Sequence, residues 1–171
     1  MKNRPARRLL RYFGLVWVST SIAIAVLSVK PTLIPVLANP AQEQVARRMA
    51  ELKNTNQRWI EVNLSTQRLI AWEGGRSVYA VIIATGKPST PTTPGMFAVQ
   101  TKQPQIRMRG AGFDVPDVPF VLYYNGASAI HGAYWLNRFG RPVSHGTVYL
   151  AVNHAQWLYD WANIGTPVVI H

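Results

Sequence analysis

The sequence predicts a mainly β domain with one or two helices, and three observations predict it. Apolar and polar residues alternate at residues 59–64, β-branched runs separated by Gly, Pro, Ser and Thr recur along the rest of the chain, and helical periodicity is confined to short stretches. With 171 residues, 48% hydrophobic and 15% charged, the chain has room for one domain with a proper core, and it reads as globular.

The N-terminus reads as an export leader. Lys2, Arg4, Arg7, Arg8 and Arg11 come without an acid, and residues 13–29 then run apolar except for Ser19, Thr20, Ser21 and Ser28. Val36-Leu37-Ala38 places short side chains at the first and third positions before Asn39, which suits cleavage after Ala38. Residues 1–38 are therefore expected to be a signal peptide or, if uncleaved, a membrane anchor that meets the bilayer through residues 13–29 alone. Either way the protein is exported, to the periplasm or cell wall. Arg7 and Arg8 match a twin-arginine export signal only loosely.

Six of the 18 Lys and Arg residues belong to that leader, so from Asn39 onward twelve cations face seven acids, a net of +5. No basic run is interleaved with aromatics, and a nucleic-acid partner is not expected. A modest excess of positive charge suits anionic wall polymers or lipid headgroups.

Residues 39–57 are polar and are read as a linker, able to form a short amphipathic helix with Val45, Met49 and Leu52 on one side. The domain is expected to span residues 58–171. Its first strand aligns Ile60, Val62 and Leu64 on one face, Ser65-Thr66-Gln67 turns the chain, and residues 68–72 return as a second strand. Glu73-Gly74-Gly75 turns it again into a β-branched run at 77–85. Residues 86–95, dense in Pro, Ser and Thr, predict an irregular loop of the kind that borders sites, followed by a strand at 96–101. A second irregular stretch is expected around Gly110, Gly112, Pro116 and Pro119, then short strands at 120–124 and 128–131. Residues 152–162 form the best helix, with Ala155, Leu158 and Tyr159 at helical spacing and Gly165 beyond its end, and residues 167–170 close as a strand.

The chain has no cysteine, which excludes disulfides, thiolate metal sites and a thiol nucleophile. Its seven acids are scattered, so paired-carboxylate chemistry is not indicated. Two histidines stand beside glycines, His131-Gly132 and His145-Gly146, where glycine allows close approach or an unusual backbone angle. A metal-dependent hydrolase would have to draw on His131, His145 and one of His154 or His171, without a matched carboxylate. No metal and no cofactor is implied. Trp157, Tyr159 and Trp161 cannot all face one way on a helix, so core packing takes at least one; Tyr123, Tyr124 and Trp135 are better placed for substrate contact, with core burial as the alternative.

Several segments together carry a resemblance that covers residues 59–171. Ile60-Glu61-Val62-Asn63-Leu64 with Gln67-Arg68-Leu69, Thr85-Gly86-Lys87, and Thr93-Pro94-Gly95-Met96-Phe97 come first. Ala129-Ile130-His131-Gly132, Phe139-Gly140-Arg141-Pro142-Val143-Ser144-His145-Gly146, Trp157-Leu158-Tyr159-Asp160-Trp161 and Gly165-Thr166-Pro167-Val168-Val169-Ile170 follow. In order and spacing this series resembles the L,D-transpeptidase catalytic domain. The resemblance implies a mainly β, sandwich-like fold and acyl transfer between peptidoglycan stem peptides, in which a cysteine attacks a tetrapeptide stem and an amine takes the acyl group. By the same resemblance His131 corresponds to the base, and Ser144, His145 and Gly146 to the frame around the oxyanion.

The departure is at the centre, where Ser144-His145-Gly146-Thr147-Val148-Tyr149 sets Thr147 in the nucleophile position and Tyr149 where the family has an amide or guanidinium. A threonine hydroxyl is far less acidic than a thiol and its methyl crowds the attack. Two readings stand: acyl transfer by Thr147 with His131 as base, and a catalytically silent module that binds peptidoglycan stem peptides.

Overall fold

The structure, a computed structural model, describes residues 39–171, so the leader and its cleavage or anchor alternatives lie outside the described residues. In chain order the elements are α1 (Pro40–Lys53), β1 (Arg58–Asn63), β2 (Arg68–Glu73), β3 (Arg76–Ile82), β4 (Gly95–Ala98), β5 (Thr101–Gly110), β6 (Phe113–Asn125), β7 (Ser128–Gly132), β8 (Val148–Leu150), α2 (Val152–Trp161) and β9 (Pro167–Ile170). One sheet runs β3-β2-β1-β9-β4 and the other β5-β6-β7-β8. Ile60, Val62, Leu69 and Ile170 of the first share a core with Leu122, Tyr124, Ile130 and Leu150 of the second, and α2 adds Ala155 and Leu158. The fold is thus the mainly β sandwich with two helices that the sequence implied.

The alternation in β1 explains only half of its burial. Ile60 and Val62 enter the shared core, whereas Trp59 and Glu61 point to the other face and are buried as well. What covers that face is α1. Asn39 caps it by accepting the Ala41 N–H through its side chain at 3.1 Å, and a proline opens its first turn. Leu52 packs on Trp59 and Val169, with Val45, Met49 and Trp72 around them, while the Trp59 and Trp72 rings stack at 5.4 Å. The segment expected to act as a linker is a docked helix; fully burying Leu52 is worth about 2 kcal/mol.

Residues 101–125 depart furthest from expectation. Where an irregular stretch was predicted around Gly110, Gly112, Pro116 and Pro119, β5 and β6 form a long antiparallel hairpin. Proline removes a ladder donor, but β5 is an edge strand, so Pro104 costs the sheet little. The register slips between Ile106 and Met108 of β5, so that Pro116 and Asp117 of β6 stand in a bulge opposite one residue, with Asp117 at φ 52°. Arg107 closes the hairpin across to Asp114 with two 2.7 Å bonds. Strand β8, three residues long, gave no separate signal.

Parallel pairing of β7 with β8 positions the site. The register matches Ile130 to Val148, His131 to Tyr149 and Gly132 to Leu150, and residues 133–147 make the crossover between the two strands. A bridge from Ala84 to Tyr149 ties β8 to the chain after β3. Among the described residues no helix is long and apolar enough to cross a membrane.

Candidate active site

Strand periodicity brings His131 and Thr147 together. Ile130 faces the shared core, so His131 projects from the opposite side of β7; Tyr149 lies beside it, and Thr147, two residues earlier, shares that side. His131 Nε2 stands 3.3 Å from Thr147 Oγ1, while Nδ1 lies 2.9 Å from the Gly132 carbonyl. A carbonyl can only accept, so Nδ1 carries the proton, and the Nε2 lone pair is left to accept the Thr147 hydroxyl. His131 is 2% exposed, and burial pulls its pKa down to about 4, with the Gly132 carbonyl opposing. The imidazole is neutral at pH 7, with its Nε2 lone pair facing Thr147 Oγ1.

The turn before Thr147 is held from within and from outside. Ser144, fully buried, donates from Oγ to the Thr147 carbonyl at 2.5 Å and accepts the Gly146 N–H at 3.2 Å. Gly146 has φ 103°, a conformation open to glycine and strained for other residues. From outside, Thr90 donates to the Ser144 carbonyl at 3.1 Å, and Thr92 Oγ1 accepts the Gly86 N–H at 2.8 Å and donates to the Gly146 carbonyl at 3.1 Å. A Cβ on Gly86 would fall 2.2 Å from the Thr90 carbonyl oxygen, so this tight loop requires glycine.

A cleft of about 230 Å³ opens over the pair. Its walls include Trp135 and Tyr149, whose rings meet edge to face at 5.6 Å, and Tyr123, Met108 and Phe113 from the hairpin. Burial raises the Tyr149 phenol's pKa, offset in part by the Thr147 side chain and the His145 backbone beside it. His145 lies at the exposed rim, 5.2 Å from the Phe113 ring, with Lys87 Nζ 3.3 Å from its Nε2. Arg107 and Arg109 also line the cleft, both bonded to Asp114.

All six residues singled out in the sequence, His131, Ser144, His145, Gly146, Thr147 and Tyr149, belong to this one region. Tyr123 and Trp135 line the cleft, while Tyr124 is core, its phenol pushed up to about 12 by burial. His154 and His171 lie elsewhere, bonded to Tyr79 at 2.6 Å and Glu61 at 2.9 Å, so the four histidines do not converge as a metal site would need. Trp157 stacks between Tyr79 and Trp161, and Tyr159 packs on Phe120. Sequence reasoning missed Met108, Phe113, Arg107 and Arg109 of the hairpin lining, and Thr92; the Pro- and Thr-rich composition of residues 86–95 was the one signal for the last.

Comparison with known proteins agrees with this geometry. The sequence is 28% identical over 97 residues to the probable L,D-transpeptidase 3 of Mycobacterium tuberculosis, covering 50% of this chain and 36% of that protein. The structure superposes with a TM-score of 0.64 on a cysteine-to-serine mutant of the Enterococcus faecium L,D-transpeptidase, at 25% identity, covering 68% of this chain and 50% of that one. It matches the Xylanimonas cellulosilytica L,D-transpeptidase with a TM-score of 0.61 at 26% identity, over 68% and 61% of the two chains. The chain therefore spans between about a third and three-fifths of these relatives' lengths. Residues 57–170 match the YkuD family, and on that match the chain belongs to the L,D-transpeptidase catalytic domain family.

Proposed function

We propose that this protein is exported and engages peptidoglycan stem peptides in the cleft, and that Thr147 accepts an acyl group from a tetrapeptide stem with His131 as base. The observation that carries the proposal is the 3.3 Å approach of His131 Nε2 to Thr147 Oγ1, with the Nδ1 proton held by the Gly132 carbonyl. As Thr147 Oγ1 attacks the donor amide carbon, His131 takes its proton. The C–N bond then breaks, the leaving D-alanine nitrogen receives that proton, and an ester remains on Thr147. An acceptor amine attacks the ester, His131 takes the proton from its nitrogen and returns it to Oγ1, and a cross-linked peptide leaves. Ser144, His145 and Gly146 shape the turn beside which the oxyanion develops on the donor's former carbonyl oxygen.

A second reading, a silent stem-peptide-binding module, is favoured by one specific observation. A base whose pKa lies near 4 provides little driving force for removing a threonine proton. Intact-protein mass after incubating the full chain with a tetrapeptide stem, and separately with a carbapenem suggested by the family resemblance, separates the readings. Gain of the acyl mass by the native chain but not by Thr147→Ala supports acyl transfer. Acylation of Thr147→Cys alone supports the silent module.

A further inference from the structure

Gln67 occupies a backbone conformation that glycine adopts without strain, and it spends its side chain on the loop behind Thr147. It ends the β1–β2 turn at φ 51°, in the left-handed region that disfavours side chains with a Cβ. Although an amide, it is 6% exposed. Its Nε2 donates to the Leu64 carbonyl and to Thr85 Oγ1, each at 2.7 Å, and its Oε1 accepts the Thr85 N–H at 3.0 Å. Its own carbonyl accepts the Ile83 N–H at 2.9 Å. Only the Leu64 bond is needed to close the turn; the two side-chain bonds to Thr85 reach 18 residues along the chain.

Thr85 is 2% exposed and is held by these bonds at both its backbone and its hydroxyl. Its carbonyl accepts two consecutive N–H groups, from Val143 at 2.8 Å and Ser144 at 2.9 Å. Ser144 Oγ in turn donates to the Thr147 carbonyl at 2.5 Å. We propose that Gln67 is a positioning residue: through Thr85 and Ser144 its amide holds the 143–147 turn so that Thr147 Oγ1 stays within reach of His131 Nε2. The functional meaning of this placement rests on the acyl-transfer reading, but the placement itself can be read without turnover. A residue that only closed the turn would leave the Val143 and Ser144 amides and the His131 ring unaffected when its side chain is removed.

Gln67→Gly tests this, because glycine keeps the left-handed backbone while deleting the amide. In the full chain, amide exchange at Val143 and Ser144 is expected to speed up about tenfold as the turn opens locally. The ring-nitrogen NMR signal of His131 Nε2 is expected to move toward that of an unbonded imidazole. In a Thr147→Cys background, the same change is expected to lower the rate constant for acylation by a carbapenem roughly tenfold at unchanged half-saturation. Thr85→Val keeps the shape of residue 85 and its N–H but removes the hydroxyl that accepts from the Gln67 amide, and is expected to speed exchange at Val143 and Ser144 and to lower that rate by a smaller factor; if Gln67→Gly does not fold, Thr85→Val is read instead, and unchanged exchange in it overturns the proposal. Unchanged exchange and an unchanged His131 signal in Gln67→Gly overturn it, as does altered exchange with an unaltered acylation rate. Should native Thr147 never be acylated while Gln67→Gly still shifts exchange, ring signal and the Thr147→Cys rate, it is the acyl-transfer reading that fails and the positioning role that stands.

Discussion

His131 Nε2 and Thr147 Oγ1 face each other at 3.3 Å across two parallel strands, and the second imidazole nitrogen is committed to the Gly132 carbonyl. The arrangement suits a side chain that gives up a proton on attack, so under the acyl-transfer proposal the identity of residue 147 is expected to set the rate. In Thr147→Cys the thiol occupies the same position and is intrinsically more nucleophilic. We expect carbapenem acylation at least about 10²-fold faster than in the native chain, and none in Thr147→Ala, followed as intact mass against time.

Burial of His131 fixes the direction of two pH effects. With a folded-state pKa near 4, His131 stays neutral throughout the neutral range, so its ring-nitrogen NMR signals in the native chain should keep the neutral form until the pH falls toward 4. Stability follows the same group. The unfolded imidazole titrates near 6.5, so the unfolded chain binds the extra proton first; the contribution is fully present above about 6.5 and lost as the pH falls to about 4, roughly 3 kcal/mol in all. Urea unfolding of the native chain and of His131→Asn at pH 7 and pH 4.5 should show the smaller acid loss in the variant.

Gly86→Ala should break the support on the other side of the turn. The added carbon would meet the Thr90 carbonyl oxygen at 2.2 Å and the Thr92 nitrogen at 2.5 Å, both backbone atoms that cannot swing aside. Displacing Thr92 releases the Gly146 carbonyl, and the acylation rate of Thr147→Cys should fall roughly tenfold or more. A rate equal to that of the parent would show that this loop does not support the turn.

Leu52→Ala should separate stability from the site. Leu52 is 1% exposed between α1 and the first sheet, packed on Trp59 and Val169. Its truncation should cost about 2–3 kcal/mol in urea unfolding while leaving the acylation rate of Thr147→Cys unchanged.

How much was legible in the sequence depended on how local the signal was. Strand β1 and helix α2 announced themselves through periodicity, His131 and His145 through their glycine neighbours, and Ser144 and Gly146 through the family resemblance. The β5–β6 hairpin was not legible, because three prolines in 16 residues argue against strands unless it is known that one strand lies on an edge and the other bulges. The docking of α1 was hidden for a related reason: a polar helix with three apolar side chains reads as a tether until Trp59 and Trp72 are seen waiting on the far face of the sheet. The bonds of Gln67 to Thr85 join residues 18 apart, and no propensity reports on such a pair.

Strand β9 lies between β1 and β4, parallel to the strand that begins the sandwich and antiparallel to the other. Residues 58–63 therefore wait for residues 167–170 before the middle of their sheet exists. A chain made from its N-terminus delivers its first strand long before the one that must lie alongside it. Closing so long a loop is slow. The first sheet is therefore completed only once nearly all of residues 58–170 are available to pair.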